Sequence, residues 1–510
     1  MNDAIEKVYR GLQPRFGDIH NHCDISYGHG SLEDAFANAR LQLDFASVTG
    51  HAYWPDMPRD DPNLGDVVAY HERGFARLAS RWDEFQEATE ANHRDGEFVT
   101  FLSFEWHSMR FGDHCVYYPG SRGEIIRAAD LPELRAELRR LPGGRNRAAF
   151  AIPHHIGYRA GWRGIDWATF TPEFSPVVEM MSMHGCAESD DAPRPYLHTM
   201  GPRDAASTVA AGLAAGHEFG LIGSTDHHSA HPGSHGHGRL AVWAAALTRE
   251  AIWDAIDRRR TYALTGDRIE LAFAVNGVPM GGRAAASDER LIVARVVGGG
   301  SIDYVEVVRN GQIIHRQSGV REPAEAGPFS GLVGLAVGWG ERGRRDEWDV
   351  ELEVVDGQID AVEPRFRGDE VVAPRDDEPA SHHFSSWERT GDDRVHFATV
   401  TRANPTTTTD ATQSMTLRIV GDDATRIRAR FNGVLVEHSV SELRRGSRSG
   451  YVGGFLSGAY LFRRAVPDAE ATARIDLVDV RETAGSDAYR VRVRQTNDQW
   501  AWSSPIWISG

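Results

Sequence analysis

The segment Gly17-Asp18-Ile19-His20-Asn21-His22 carries two imidazoles two residues apart. At a strand end that spacing sends both rings to the same side, where their neutral nitrogens can share a transition-metal ion. Residues of the same type recur along the first half: Thr49-Gly50-His51, Phe104-Glu105-Trp106-His107, Asp113-His114, Pro153-His154-His155 and Thr225-Asp226-His227-His228. An isolated H-x-H pair is a weak signal, because a single buried histidine is more often a packed core residue. Six strand termini bearing imidazole or carboxylate are harder to explain by packing, since unpaired polar groups are costly to bury. The chemistry such a set supports is metal-assisted hydrolysis. The histidines are also unevenly placed: 18 of the 23 precede residue 269, more than a proportional share. Acid/base or metal chemistry therefore belongs to the first half.

These side chains need strands to carry them. Short apolar runs at Phe16–His20, Phe45–Thr49, Phe98–Phe104, Cys115–Tyr118, Ala149–Ile152, Val177–Met181 and Phe219–Gly223 read as strands. Amphipathic stretches at Leu32–Leu41, Val67–Ala91, Leu131–Leu141, Ala205–Ala215 and Arg249–Arg260 read as helices between and after them. Strands alternating with helices imply βαβ units and a parallel arrangement. The fold class expected is α/β, a distorted (β/α)7 barrel with the chemistry at the C-terminal strand ends. No G-x-G-x-x-G follows the first strand, which disfavours a doubly wound dinucleotide-binding sheet.

From about Ile269 the pattern changes to short alternating strands with turn signals. Tyr304–Val308 and Gln312–His315 around Asn310-Gly311 predict a hairpin, and Met415–Ile419, Ala429–Phe431, Ile475–Val478, Tyr489–Gln495 and Ile506–Ile508 continue the series. Glu363–Glu378 and the Thr-rich Pro405–Thr409 read as loops. The division expected is a hydrolase domain over 1–268 and a β-rich, sandwich-like accessory region of one or two units over 269–510.

Composition excludes several functions. The chain has 510 residues, a formal charge of -17, 41% hydrophobic and 25% charged residues, as ordinary globular domains do. An acidic chain lacks the basic face that nucleic acid requires, and no apolar run approaches the ~20 residues of a membrane span. The polar N-terminus has no signal-peptide core, so the expected location is cytoplasmic. Cys23, Cys115 and Cys186 form no C-x-x-C pair and suit a reducing compartment. Lys7 is the single lysine, and its polar surroundings make a P-loop, a Schiff base or a carboxylated-lysine metal bridge improbable.

Taken together, the strand-end residues resemble the PHP (polymerase and histidinol phosphatase) superfamily, and within it the stand-alone bacterial proteins. The family's H-x-H is matched by His20 and His22, its following loop histidine by His29, and its second motif by His51, although Gly50 stands where the family usually has aspartate. Its bridging glutamate is matched by Glu105, the next histidine by His114, the one after by His154 or His155, and the closing D-x-H by Asp226 and His228. The resemblance extends over about residues 15–280 and, more loosely, to the tryptophan-rich end at Trp500–Trp507.

That resemblance implies two or three divalent ions bridged by Glu105, with Zn, Mn or Fe equally suited to imidazole and carboxylate. Cys23 and Cys115 each follow a matched ligand, and a thiolate ligand is a minor alternative to packing. The activity expected is hydrolysis of a phosphate ester by a metal-activated hydroxide. The alternatives are hydrolysis of a carboxylic ester, carbamate, amide or lactone, and a metal-stabilised binding module. His228, His227 or His184 can protonate a leaving group; Arg110, Arg159 and Arg163 can hold an anionic substrate. Trp54, Trp106 and Trp162 stand near the expected mouth, and the loop His231–His237 reads as a lid or a solvated turn. The partner expected is a small-molecule substrate, with a homo-oligomer compatible and nucleic acid and membrane excluded.

Overall fold

The capping box at Ser31 shows how locally the helices are specified. The Asp34 amide donates to Ser31 Oγ at 3.0 Å and the Ser31 amide donates to Asp34 Oδ2 at 3.2 Å, opening α2 over Leu32–Gln42. The computed structural model describes residues 3–142, 148–196, 200–321, 327–369, 381–403, 410–480 and 485–509. Its first half runs α1 (Asp3–Val8), β1 (Gln13–Asp18), α2, β2 (Phe45–Ala46), β3 (Thr49–Tyr53), α3 (Gly65–Ser80), α4 (Trp82–Ala91), β4 (Val99–Thr100), β5 (Ser103–Trp106), β6 (His114–Tyr117), α5 (Leu131–Arg140), β7 (Phe150–Pro153), β8 (Val177–Ser182), β9 (Gly185–Cys186), α6 (Val209–Ala214), β10 (Gly220–Gly223), β11 (Arg239–Ala244), α7 (Arg249–Asp257) and β12 (Thr261–Leu264).

The seven predicted runs all bear strands, but two of them break in the middle. Phe45–Thr49 divides into β2 and β3, and Phe98–Phe104 into β4 and β5. Of the first pieces, β2 pairs with β1 and β4 with β2, whereas β3 and β5 pair with each other in a separate sheet. The expected helix over 67–91 likewise divides at Arg81.

The all-parallel barrel is not what the described ladders form. Pairs β1–β2, β2–β4, β3–β5 and β8–β10 are parallel, but β6 is antiparallel to both β5 and β7, and β11 to both β1 and β12. One reason is chain length. The connection 107–113 between β5 and β6 is shorter than the dozen or so residues a parallel crossover needs, so β6 must turn back. The result is a mixed α/β architecture distributed over several sheets.

The chain's last strands return to its first sheet. Trp500–Ser503 pairs with β12, with Tyr262 opposite Ser503, and Asp487–Gln495 and Ile506–Ile508 continue that sheet outward. Asn310 and Gly311 adopt positive φ (50° and 83°) in the predicted hairpin, as a two-residue primed turn requires. Glu289–Val297 pairs along its length with Thr472–Val480, so residues 328–467 form an insertion between neighbouring strands. That insertion packs one sheet, containing Pro328–Trp339 and Gln413–Asp422, on another containing Arg345–Val355 and Arg394–Arg402, around Val333, Trp348, Phe397, Leu417 and Phe431. Glu363–Arg365 belongs to the strand Gln358–Arg365 rather than a loop, because its backbone completes the ladder to Gln413–Asp422. The rest of that predicted loop beyond 369, and the Thr-rich Pro405–Thr409, lie outside the described residues.

Candidate metal centre

Second partners orient each inner imidazole. His20 Nδ1 donates to the Glu179 carboxylate at 3.0 Å, His22 Nδ1 to the Thr49 carbonyl at 2.6 Å, and His228 Nδ1 to the Asp226 carbonyl at 2.8 Å. In each ring the proton is thereby held on Nδ1 and the Nε2 lone pair is left to point inward, the tautomer a metal ligand needs. His51 sets its Nδ1 3.0 Å from Ser26 Oγ. Gly50 has a plain reason for not being aspartate: a Cβ there would meet Leu78 of α3 at 2.5 Å. Ser26 thus supplies a hydrogen-bonding neighbour to His51.

Glu105 stands between two sets of nitrogens. Its Oε2 lies 3.2 Å from His51 Nε2 and 3.7 Å from His22 Nε2, while Oε1 lies 2.9 Å from His154 Nε2 and 3.2 Å from His107 Nδ1. On the far side Asp226 Oδ1 sits 3.0 Å from His22 Nε2 and 3.3 Å from His20 Nε2. Asp226 has φ of +53°, a left-handed turn that aspartate tolerates better than most residues. Five sets of ligand atoms lie within 4.8 Å of one another: His20, Cys115, His154; His22, His51, His228; Glu105, Asp113, His154, His155; His20, His22, Asp226; and His51, Glu105, His107. All these residues are buried, and Glu105 Oε2 and both ring nitrogens of His154 have no hydrogen-bond partner among the described residues. Donors and acceptors without hydrogen bonds at this density are expensive in a dry interior, and cations between them would supply the missing interactions. The donor set therefore fits divalent metal ions.

Burial pushes the Glu105 carboxyl well above its usual range despite the nearby His20. Burial also raises Asp226, but the fields of His20 and His184 outweigh it and hold the carboxyl well below that range. Burial lowers His22 and His155 to about 4, and lowers His51, His154 and His228 well below their ordinary value. In the unfolded chain such rings titrate near ~6.5. Between there and about pH 4 the unfolded state binds more protons at these five sites, so stability falls as pH drops through that window. His20, Glu105, Glu179 and Asp18, all raised, act in the opposite sense but are outnumbered. The metal-free protein is expected to melt several degrees lower near pH 5 than near pH 7.5. A melting temperature that rises toward acid contradicts the assignment.

Not every predicted residue joins the centre. His114 is absent from all five sets, and its Nδ1 donates to Gly112 O at 2.9 Å. The cause is strand alternation: Trp106 opposes His114 across the β5–β6 ladder, while Glu105 opposes Cys115. Asp113 and Cys115 therefore face the centre and His114 faces away with Trp106, which is fully buried. His29 also lies in none of the sets; its ring is 5.8 Å from His382, brought in by the inserted sandwich. His154 and His155 both enter, His154 toward Glu105 and His155 toward Asp113 at 3.2 Å.

The proposed proton donors separate as well. His227 is in none of the five sets and stacks on His237 with ring centroids 5.4 Å apart. His184 places Nε2 2.7 Å from Asp226 Oδ2 and Nδ1 2.9 Å from the Tyr158 hydroxyl. Arg163 is occupied by Asp113, with Nε at 2.8 Å, and stacks over Trp54. Arg110 and Arg159 are exposed, as is Trp162. The loop His231–His237 is neither an open lid nor a solvated turn here: His231 is fully buried and His235 pairs with Asp267 at 2.8 Å.

Beside the matched residues, the structure adds Glu179 and Asp18, and brings in His107 and Asp113, which stand at strand ends but match no motif of the resemblance. Glu179 had a legible signal, a lone carboxylate in the apolar run Val177–Met181 that burial obliges to find a partner. Asp18 accepts from the His20 amide at 3.1 Å and the Gly233 amide at 2.7 Å, tying the end of β1 to the 231–237 loop.

Residues 233–280 match the family described as a protein of unknown function (DUF3604). An uncharacterized protein of Chlamydia pneumoniae is 30% identical over 168 residues, and one of Chlamydia muridarum 27% identical over 169. In each case the match spans 30% of this chain and 27% of the relative, so little more than a quarter of those curated relatives is covered. A solved two-domain protein from Bacteroides vulgatus, containing a predicted PHP-like metal-dependent phosphoesterase, is similar over 84% of this chain and 96% of that one, at 12% identity and a TM-score of 0.30. No described helix is long and apolar enough to cross a membrane.

Proposed function

We propose that this chain is a metal-dependent hydrolase acting on a phosphate ester of a small molecule, with two or three divalent ions of Zn, Mn or Fe. The observation that carries the reading is the position of Glu105, whose two oxygens face separate sets of buried imidazoles. Bound ions would supply Lewis-acid polarisation and acidify a water, and a pair of them suits the in-line displacement of a phosphate ester. His20, His22 and His228 present Nε2 through their Nδ1 hydrogen bonds, so the ligand face is organised before any ion arrives. His184, backed by Tyr158, is the side chain best placed to deliver a proton, since His227 faces elsewhere and His228 Nδ1 is held by a carbonyl. Arg110 and Arg159 are the predicted arginines left to meet an anionic substrate; Arg163 holds Asp113.

The test is a panel of aryl phosphate mono- and diesters beside aryl acetates and carbamates, run with Mn, Fe or Zn added. Turnover confined to the phosphates is the expected result. Turnover of acetates or carbamates alone moves the assignment to carbonyl hydrolysis, and turnover of none, with metal bound, favours a binding role.

A further inference from the structure

We infer that Cys115 is a thiolate ligand of a borderline-soft divalent cation held jointly by His20 and His154. The inference rests on the metal-dependent reading above and goes beyond it, because it places sulfur in a centre otherwise made of nitrogen and oxygen.

Three observations meet at this residue. First, register: Cys115 opposes Glu105 across β5–β6 and Ile152 across β6–β7. Alternation then puts Glu105, Asp113, Cys115 and the following His154 on one side of the sheet. Second, proximity: ligand atoms of His20, Cys115 and His154 all lie within 4.8 Å of one another, and Cys115 is fully buried. Third, a buried ring without a hydrogen bond: His154 is 1% exposed, yet neither ring nitrogen makes a hydrogen bond among the described residues, Nε2 lying 2.9 Å from the Glu105 carboxylate. His20 is likewise prepared, since Glu179 takes its Nδ1–H and leaves Nε2 available.

The competing role for Cys115 is a small apolar residue, and it does border the interior layer of Ile19, Phe45, Phe101, Tyr117 and Ile152. Packing alone explains why the residue is small. It does not explain a thiol set beside two imidazoles, one of which makes no hydrogen bond among the described residues. Thiolate with imidazole favours Zn(II) or Fe(II) over Mg(II) or Ca(II). On ligation the metal–sulfur bond forms as the S–H proton is released to solvent, so no oxidant or reductant is needed.

X-ray absorption of the full-length protein loaded with Zn(II) tests this directly. A sulfur shell near ~2.3 Å is expected beside nitrogen and oxygen at ~2.0–2.1 Å. Cys115→Ser should lose that shell, whereas Cys23→Ser and Cys186→Ser, both in apolar clusters away from the five ligand sets, should keep it. A wild-type spectrum with nitrogen and oxygen only overturns the thiolate while leaving the metal centre standing. A sulfur shell that survives Cys115→Ser overturns it too. Failure of the wild-type protein to retain zinc overturns this inference, and failure to retain Mn and Fe as well removes the proposed function with it.

Discussion

Glu105→Gln is expected to strip most of the bound metal and to lower hydrolysis at least ~100-fold, since even residues that only orient a ligand cost 10–100-fold when changed. The substitution keeps the side chain's shape but replaces one carboxylate oxygen with an amide nitrogen that cannot ligate. Oε1 faces His154 and His107 while Oε2 faces His51 and His22, so neither oxygen is spare. The metal-free fold should be unharmed, because a buried carboxylate that burial disfavours is exchanged for a neutral amide. Elemental analysis, the rate on whichever ester the wild type hydrolyses, and the melting temperature without metal read the three parts separately. Full metal and full rate in the variant would remove Glu105 from the centre.

The second large effect lies outside the centre. Glu188 is fully buried just after β9, where it accepts from Arg490, from Arg492 at 3.4 Å and from Trp502 Nε1 at 2.8 Å. These partners come from the end of the chain, so one carboxylate ties the first half to strands that begin some 300 residues later. Glu188→Ala leaves the Arg490 guanidinium buried without its counter-ion, and a loss of about 3–5 kcal/mol is expected in denaturant unfolding of the full chain. Pairing Glu188→Leu with Arg490→Met should recover much of that loss, because an apolar pair of similar size removes the unpaired charge. Metal content of the folded variant should match wild type. A loss below about 1 kcal/mol would class the contact with ordinary surface pairs.

What could be read in advance divides along the range of the interactions. The ends of α2 and α5 are local decisions, made by Ser31 with Asp34 and by Asp130 with Glu133, so the predicted helix starts agree with the structure. The hairpin at Asn310-Gly311 is local in the same way. Strand direction is not: β6 runs backward because the 107–113 connection cannot cross over, and the expected parallel arrangement does not hold there. Glu179 meets His20 across 159 residues, a pairing that no neighbouring residue encodes.

By itself the sequence determined the chemical repertoire: imidazoles two residues apart, carboxylates at strand ends, one lysine and no paired cysteines. Those are covalent facts, and they already make a metal-binding site the expectation. Only the tertiary structure decided which members face inward. Period-two alternation in β6 turns Asp113 and Cys115 toward Glu105 and turns His114 away, and the loop of an inserted sandwich places His382 beside His29. Residue type is written one position at a time, whereas direction depends on which strand lies alongside. That is settled when the sheets form.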